Sequence, residues 1–354
     1  MRYPWAQTGN YRTSYRQDTT IFATYWEQLS LWVLIAALLV LPRFLERSQM
    51  AVVDLIVIYA IAVLGLNITT GYAGLINIGQ AAFMGVGAYT AALVAPYLPF
   101  WLTLPVGGLV AAVAGVIVGI PSLRIKHLYL AIATLAFQLI FEWIVGHSPA
   151  LEQGGAIAMP RVTFLGYAVG FRNHHFFWYY VALVVLVLLA FAFRNLLRTR
   201  YGRALVAVRD NDRAADAMGM DPGRTKLFAF GLGAFYAGVA GALFAYWSRA
   251  VVIEDYMLST SIELLAMAIV GGLGTFVGSF LGPAFLVLLD INVETLSEWI
   301  KSFGITPAGI DVASGLRPLV FGLVIVLFLI FEPRGLANWW RLLRSYFKNW
   351  PFKY

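Results

Sequence analysis

The chain has 354 residues, 60% of them hydrophobic and only 12% charged, about half the charge density of an ordinary soluble domain. With a mean hydropathy of +0.76 it holds too few Lys and Glu side chains to cover a buried core, which excludes a soluble globular protein. The net charge of +7 would suit a nucleic-acid partner, but the basic residues are distributed as membrane topology requires, so no nucleic acid is expected.

Apolar runs long enough to cross ~30 Å of hydrocarbon, roughly 20 residues each, recur from residue 29 to residue 332. They are continuously apolar rather than alternating, which predicts helices and not a closed barrel. The fold class is therefore an all-α polytopic membrane protein of about ten transmembrane helices, expected at 29–45, 50–69, 72–95, 101–121, 128–146, 176–194, 227–248, 258–274, 276–292 and 316–332. Residues 1–28 are expected to form a cytoplasmic N-terminal segment, 29–332 the transmembrane domain with a cytoplasmic loop at 195–226, and 333–354 a cytoplasmic tail. The first apolar run follows a polar stretch holding Arg2, Arg12 and Arg16 and leads into further spans, not a small-residue cleavage site. No removable signal peptide is expected.

Ten spans put both ends on one side. If that side is cytoplasmic, the inside segments hold 18 of the 25 Lys plus Arg, so an N-in, C-in orientation is preferred. The largest inside segment contains "GRALVAVRDNDRAADAMGMDPGRTK", residues 202–226. A positive-inside determinant would explain its sign but not its order. Asn211 can cap a helix whose first turn carries Asp212, and Gly219 followed by Asp221-Pro222 can stop it. Ala214, Ala215, Ala217 and Met218 give this helix a small, weakly apolar face, while the upstream turn Ala204 to Val208 is apolar enough to lie on the bilayer or the bundle. The passage fits a docking element as well as it fits an interfacial helix.

Glycine is dense in the third span, "GYAGLINIGQAAFMGVGAYTAAL", and across the eighth and ninth, "LLAMAIVGGLGTFVGSFLGPAFLVLLD". Close helix packing accounts for most of it. Spans 3 and 8 lie five apart and so cross in opposite directions, as in an inverted repeat of five plus five whose helix breaks frame a pathway. Asn77, Gln80, Thr134, Gln138 and Glu142 lie within spans and Glu263 near the start of one. Each is a candidate for the pathway, with helix-to-helix hydrogen bonding as the alternative. Asp54 and Asp290 are expected at the interface.

Several chemistries are missing from the sequence. None of the five lysines follows a glycine, so "GGLGTFVG" is not a phosphate loop. The chain has no cysteine and four histidines, two of them adjacent, with no metal-ligand spacing and no Gly-x-Ser-x-Gly elbow. No proton relay is indicated. The chain is expected to be neither an enzyme nor an ATP-binding protein and to carry no metal or cofactor of its own.

The blocks "NITTGYAGLINIGQAAFMGVGAYTAAL", "SLRIKHLYLAIATLAF", residues 202–226 continuing into "LFAFGLGAFYAGVAGALFA", "ELLAMAIVGGLGTFVGSFLGPAFL" and "LFLIFEPRGL" together resemble the LivM-type permeases of ATP-binding-cassette importers for branched-chain amino acids and related solutes. The resemblance covers residues ~65 to 336 in order; the first ~48 residues lie outside it. It implies a multi-pass protein of the bacterial plasma (inner) membrane that forms the pathway for a small polar solute. It also implies a second homologous permease, two ATP-binding subunits that hold ATP and Mg, and an extracytoplasmic solute-binding protein received by the loops at 147–175 and 293–315. The positions matching the family's ATPase-coupling helix are Gly202, Arg203, Ala204, Ala207, Val208, Asn211, Ala214, Ala215 and Gly219. Two departures stand out: His127 where the family usually has glycine, and "LEQGGAIAMP" where relatives carry a Thr-Gly-Gly loop. The second leaves the solute open among branched-chain amino acids, urea, amides and organic acids. The competing expectation is a self-sufficient secondary transporter driven by an ion gradient.

Overall fold

The computed structural model describes residues 25–123, 128–148, 156–160, 163–164, 167–168, 174–302 and 312–348. His127, the N-terminal segment up to residue 24 and much of the loops at 149–173 and 303–311 lie outside the described residues. Each of the ten apolar runs contains a helix. In chain order these are α1 (Tyr25–Val40), α2 (Arg47–Leu66), α3 (Gln80–Val94), α4 (Phe100–Gly119), α5 (Leu128–His147), α6 (His174–Leu196), α9 (Pro222–Ser248), α10 (Leu258–Gly271), α11 (Gly278–Ser302) and α12 (Val312–Phe331). Among the described residues three polar or amphipathic helices join them: α7 (Arg200–Asp210), α8 (Asp212–Ala217) and α13 (Leu336–Lys348).

Five of the apolar helices are each long and apolar enough to cross a bilayer: α2 with its extension to Tyr72, α4, α5, α6 and α9. A sixth crossing arises if α12 and α13 are taken together across their 47° bend. The two glycine-rich runs instead give short helices, α3 of 15 residues and α10 of 14. The expected continuous span at 72–95 is broken. Helix α2 ends in a π turn over Asn67–Tyr72, residues 73–79 are irregular, and α3 begins only at Gln80. Asn77 therefore lies on the approach to a helix and not inside one. Gly74 has a φ of 68° at this break, a left-handed conformation that glycine adopts without a Cβ clash.

The core is built around α9, which is 78% buried along its apolar window and packs on α2, α3 and α4. Gly87 of α3, Gly238 of α9 and Gly107 of α4 meet in a ring where a Cβ on each would strike the backbone of the next. With no hydrophobic driving force between helices in lipid, close backbone approach of this kind is what holds them together. Small β elements tie the outer connections. β1 (Ile157–Ala158) pairs antiparallel with β4 (Ala250–Val251), and β2 (Thr163–Phe164) pairs with β3 (Tyr167–Ala168).

Of the two acids expected at the interface, Asp54 meets the first turn of α6 and the last turn of α9, and Asp290 lies close to the end of the apolar stretch of α11. Asp54 is fully buried, its Oδ2 accepting from the Trp247 indole N–H at 3.0 Å and lying 3.3 Å from His175 Nδ1. Burial is tolerable because α6 and α9 bring these partners to it, a tertiary effect invisible in the run of α2. Asp290 falls within α11, which continues to Ser302 past the expected end at 292.

Replacing Gly87 with Leu should force the three helices apart. Overpacking typically costs about 1–3 kcal/mol, and the expected outcome is a lower unfolding midpoint and less monodisperse protein by size-exclusion after heating.

Candidate functional site

A helix that starts inside a membrane exposes N–H donors that water cannot satisfy. Helix α3 starts in this way, and side chains from three places supply its acceptors. Thr134 Oγ1 accepts from Ile78 N at 3.0 Å, Asn77 Oδ1 from Gly79 N at 3.0 Å, Ser261 Oγ from Ala81 N at 2.9 Å and Gln138 Oε1 from Ala82 N at 2.9 Å. Gln80 turns the other way, accepting from Asn77 Nδ2 at 2.8 Å and donating to the Ala62 carbonyl at 2.9 Å.

The start of α10 is held by the same helix. Glu142 Oε1 accepts from Leu258 N at 2.8 Å, so a carboxylate sits at the positive end of α10. Gln138 Nε2 donates to the Tyr256 carbonyl at 2.7 Å and to Glu142 at 2.9 Å, while Ser261 Oγ donates to Gln138 Oε1 at 2.9 Å. Thr134, Gln138 and Glu142 recur every four residues on α5, one stripe of that helix. The two short helices run in opposite directions from this stripe. Helix α10 descends to Gly271 beside the end of α2. Helix α3 leads to α4, whose far end at Gly119 packs on Leu227 and Phe230 at the beginning of α9.

Four of the expected pathway residues thus come together: Asn77, Gln80, Thr134 and Gln138 are each at most 1% exposed. Glu263 is not among them. It sits exposed on α10 next to Ile262, and its charge acts on Tyr59 together with those of Asp255 and Asp290. Ser261 and Asn67 were missed from sequence; both are buried, and their only signal is a hydrogen-bonding side chain next to a helix break.

On the side where α2 and α10 end, the 202–226 passage forms a helix pair. Gly202 is buried in a turn so tight that a Cβ there would meet the Leu196 carbonyl and the Leu197 backbone. Arg203 is exposed, Ala204 and Ala207 are half-buried, and Leu205 and Val208 face inward. The Asn211 side chain caps α8, accepting from Arg213 N at 3.0 Å and Ala214 N at 3.2 Å. Gly219, with a φ of 80°, turns the chain just after α8. Asp212 pairs at 2.7 Å with Lys226 on the first turns of α9, which fixes the pair against the bundle. Within the small-residue face, Ala215 points inward at 4% exposure while Ala214, Ala217 and Met218 are exposed, Met218 at 80%.

Arg209 connects this pair to the broken helix. Its Nη1 donates to the Gly71 carbonyl at 3.1 Å, and its aliphatic stem lies where a Cβ on Gly74 would be. Two turns' worth of hydrogen bonds then lead onward. Asn67 Nδ2 donates to the Thr275 carbonyl and to Ser279 Oγ, both at 2.8 Å, and Asn67 Oδ1 accepts from Gly274 N at 2.7 Å. Arg209 of the helix pair thus holds one end of the π turn that closes α2, and Asn67 at its other end holds the approach to α11. Among the described residues no group of His, Asp and Glu is arranged to hold a metal ion.

The family model for the branched-chain amino acid transport system permease component matches residues 48–330. The chain belongs to this permease family. It is 32% identical over 338 residues to the high-affinity branched-chain amino acid transport system permease protein LivM of Escherichia coli, covering 89% of this chain and 76% of that one. It is 29% identical to the probable branched-chain amino acid transport permease protein LivH of Methanocaldococcus jannaschii, over 79% of this chain and 89% of that one. It is also 25% identical to the autoinducer 2 import system permease protein LsrC of E. coli, over 85% of each. No solved structure matches the chain. The permease is a polytopic all-α membrane protein.

Gln138→Leu would strand the Ala82 N–H, the Ser261 hydroxyl and the Tyr256 carbonyl at once, each at about 1–3 kcal/mol. Thr134→Val strands one N–H. The expected ranking of unfolding midpoints for the permease in nanodiscs is wild type, then Thr134→Val, then Gln138→Leu.

Proposed function

We propose that this permease is the membrane-spanning subunit of an ATP-binding-cassette importer in the bacterial plasma (inner) membrane, oriented N-in, C-in. It forms, with a second homologous permease, the pathway for a small polar solute, a branched-chain amino acid or a chemical relative of one. ATP and Mg are bound by two separate ATP-binding subunits on the cytoplasmic side, and a solute-binding protein delivers the solute from outside. The names of the relatives, all permeases of transport or import systems, support this reading.

The observation that carries it is the build of the 202–226 passage. Gly202, Arg203, Ala204, Ala207, Val208, Asn211, Ala214, Ala215 and Gly219 are the coupling element. Its exposed tip at Ala214, Ala217 and Met218 meets the ATP-binding subunit, while its root is fastened by the Asp212–Lys226 pair and by Arg209. A surface helix that only oriented the chain would need neither fastening. Movement of the tip is delivered by Arg209 to Gly71, and through Asn67 to the 274–279 segment.

On this reading Asn77, Gln80, Thr134 and Gln138 shape the pathway from behind, by fixing the opposed starts of α3 and α10. Glu263, exposed on α10, faces the water-filled side of the assembled pathway, since a carboxylate facing lipid is costly.

Two substitutions separate docking from transmission. Ala217→Arg at the exposed tip should lose the ATP-binding subunits in a mild-detergent pull-down and abolish ATP-driven uptake. Arg209→Ala should keep those subunits and their ATP hydrolysis but uncouple it, lowering solute uptake per ATP. Solute uptake into liposomes by the chain alone, without ATP, would overturn the importer assignment in favour of a secondary carrier.

A further inference from the structure

The C-terminal helix α13, LANWWRLLRSYFK, is not a loose tail. At the turn that precedes it, Glu332 accepts from Asn338 Nδ2 at 2.7 Å and from the Trp339 indole N–H at 3.0 Å. Gly335, with a φ of 68°, lies so close to Gly272 that a Cβ there would meet its N and Cα, and Ala337 is buried beside it. The first turn of α13 is thereby seated on the loop between α10 and α11, and the helix leaves the axis of α12 at 47°.

Beyond that seat the described side chains lie open. Trp339, Trp340, Leu342, Leu343 and Tyr346 are all more than half exposed. By helical register Trp339, Leu343 and Tyr346 share one side, flanked by Trp340 and Leu342, while Arg341 and Ser345 fall on the other. The helix sequence holds basic residues at 341, 344 and 348 and no acidic one.

The occupant of this face follows from three features. Leu323, Ile330 and Phe331 on α12, the last two directly before the turn into α13, are exposed apolar residues of a membrane-spanning bundle, so α13 starts where exposed apolar surface ends. Tryptophan and tyrosine are the residues that settle at the headgroup level. A purely basic polar side is complementary to the anionic cytoplasmic leaflet. A face of this kind turned to water would be a large unpaid apolar patch.

We propose that α13 lies on the cytoplasmic surface of the bilayer and binds anionic lipid headgroups. The seat of α13 on the 272 loop places this lipid contact beside the 274–279 segment that Asn67 holds. The lipid contact does not depend on which solute the permease carries or on how it is energised.

The chain has no native cysteine, which allows the full-length permease to be labelled at single positions. Leu343→Cys and Ser345→Cys, both exposed sites, would carry an environment-sensitive fluorophore in nanodiscs of phosphatidylcholine with or without phosphatidylglycerol. The expected result is a blue shift at 343 and none at 345, larger with phosphatidylglycerol and reduced by added salt. Arg341→Gln should diminish the response to phosphatidylglycerol. A label at 343 that reports water in both lipids would overturn the proposal. So would a blue shift at 343 that appears only when ATP-binding subunits are added, which would make α13 a protein-docking helix.

Discussion

The stripe of Thr134, Gln138 and Glu142 on α5 is the constraint on which the rest of this structure depends. Helix α3 starts among buried residues and α10 starts beside the same face of α5, and the first N–H groups of both take side-chain acceptors. One helix face supplies most of them, with Ser261 and Asn77 completing the set. Because Gln138 serves both starts at once, α3 and α10 cannot shift independently. The polar residues of this transmembrane bundle are joints between backbone segments before they are anything else.

The glycines make the same arrangement sterically possible. Short helices and irregular approaches fit inside a bundle only where backbones come nearly into contact, as at the Gly87–Gly107–Gly238 ring and at the crossing of Gly71 with Gly274. The first set holds the rigid centre around α9. The second lies where the 202–226 passage meets the end of α2, and there Asn67 and Arg209 replace apolar packing by directed hydrogen bonds. Hydrogen-bonded junctions can exchange partners with less steric penalty than interlocked backbones, which makes this the natural place for a movement to enter the bundle. Seating α13 at the same junction extends it toward the lipid surface.

The 202–226 passage illustrates what local sequence can and cannot carry. The Asn211 cap and the stop at Gly219 are local hydrogen-bonding and φ preferences, and the structure has both where the residues suggest them, whereas Asp221-Pro222, expected to help end this helix, instead caps and opens α9. Which alanine faces outward is a different matter. Ala215 turns inward and Met218 outward because the Asp212–Lys226 pair sets the roll of α8 against α9, a contact between elements.

The sequence by itself determined the class, the number and order of apolar helices, the family and the stretch from Gly202 to Gly219 as an ordered helical element, because hydropathy, capping and glycine content are properties of short windows. It did not determine that the third span is broken, that Asp54 is buried against Trp247 and His175, or that Glu263 lies outside the buried cluster of Asn77, Gln80, Thr134 and Gln138. Those depend on which helix faces meet. In lipid, a polar side chain is tolerated wherever any neighbour completes its hydrogen bonds, so its position along a span says that it has a partner without saying which one. Only the tertiary structure, by bringing α5 to the starts of α3 and α10 and Arg209 to Gly71, decided the partners.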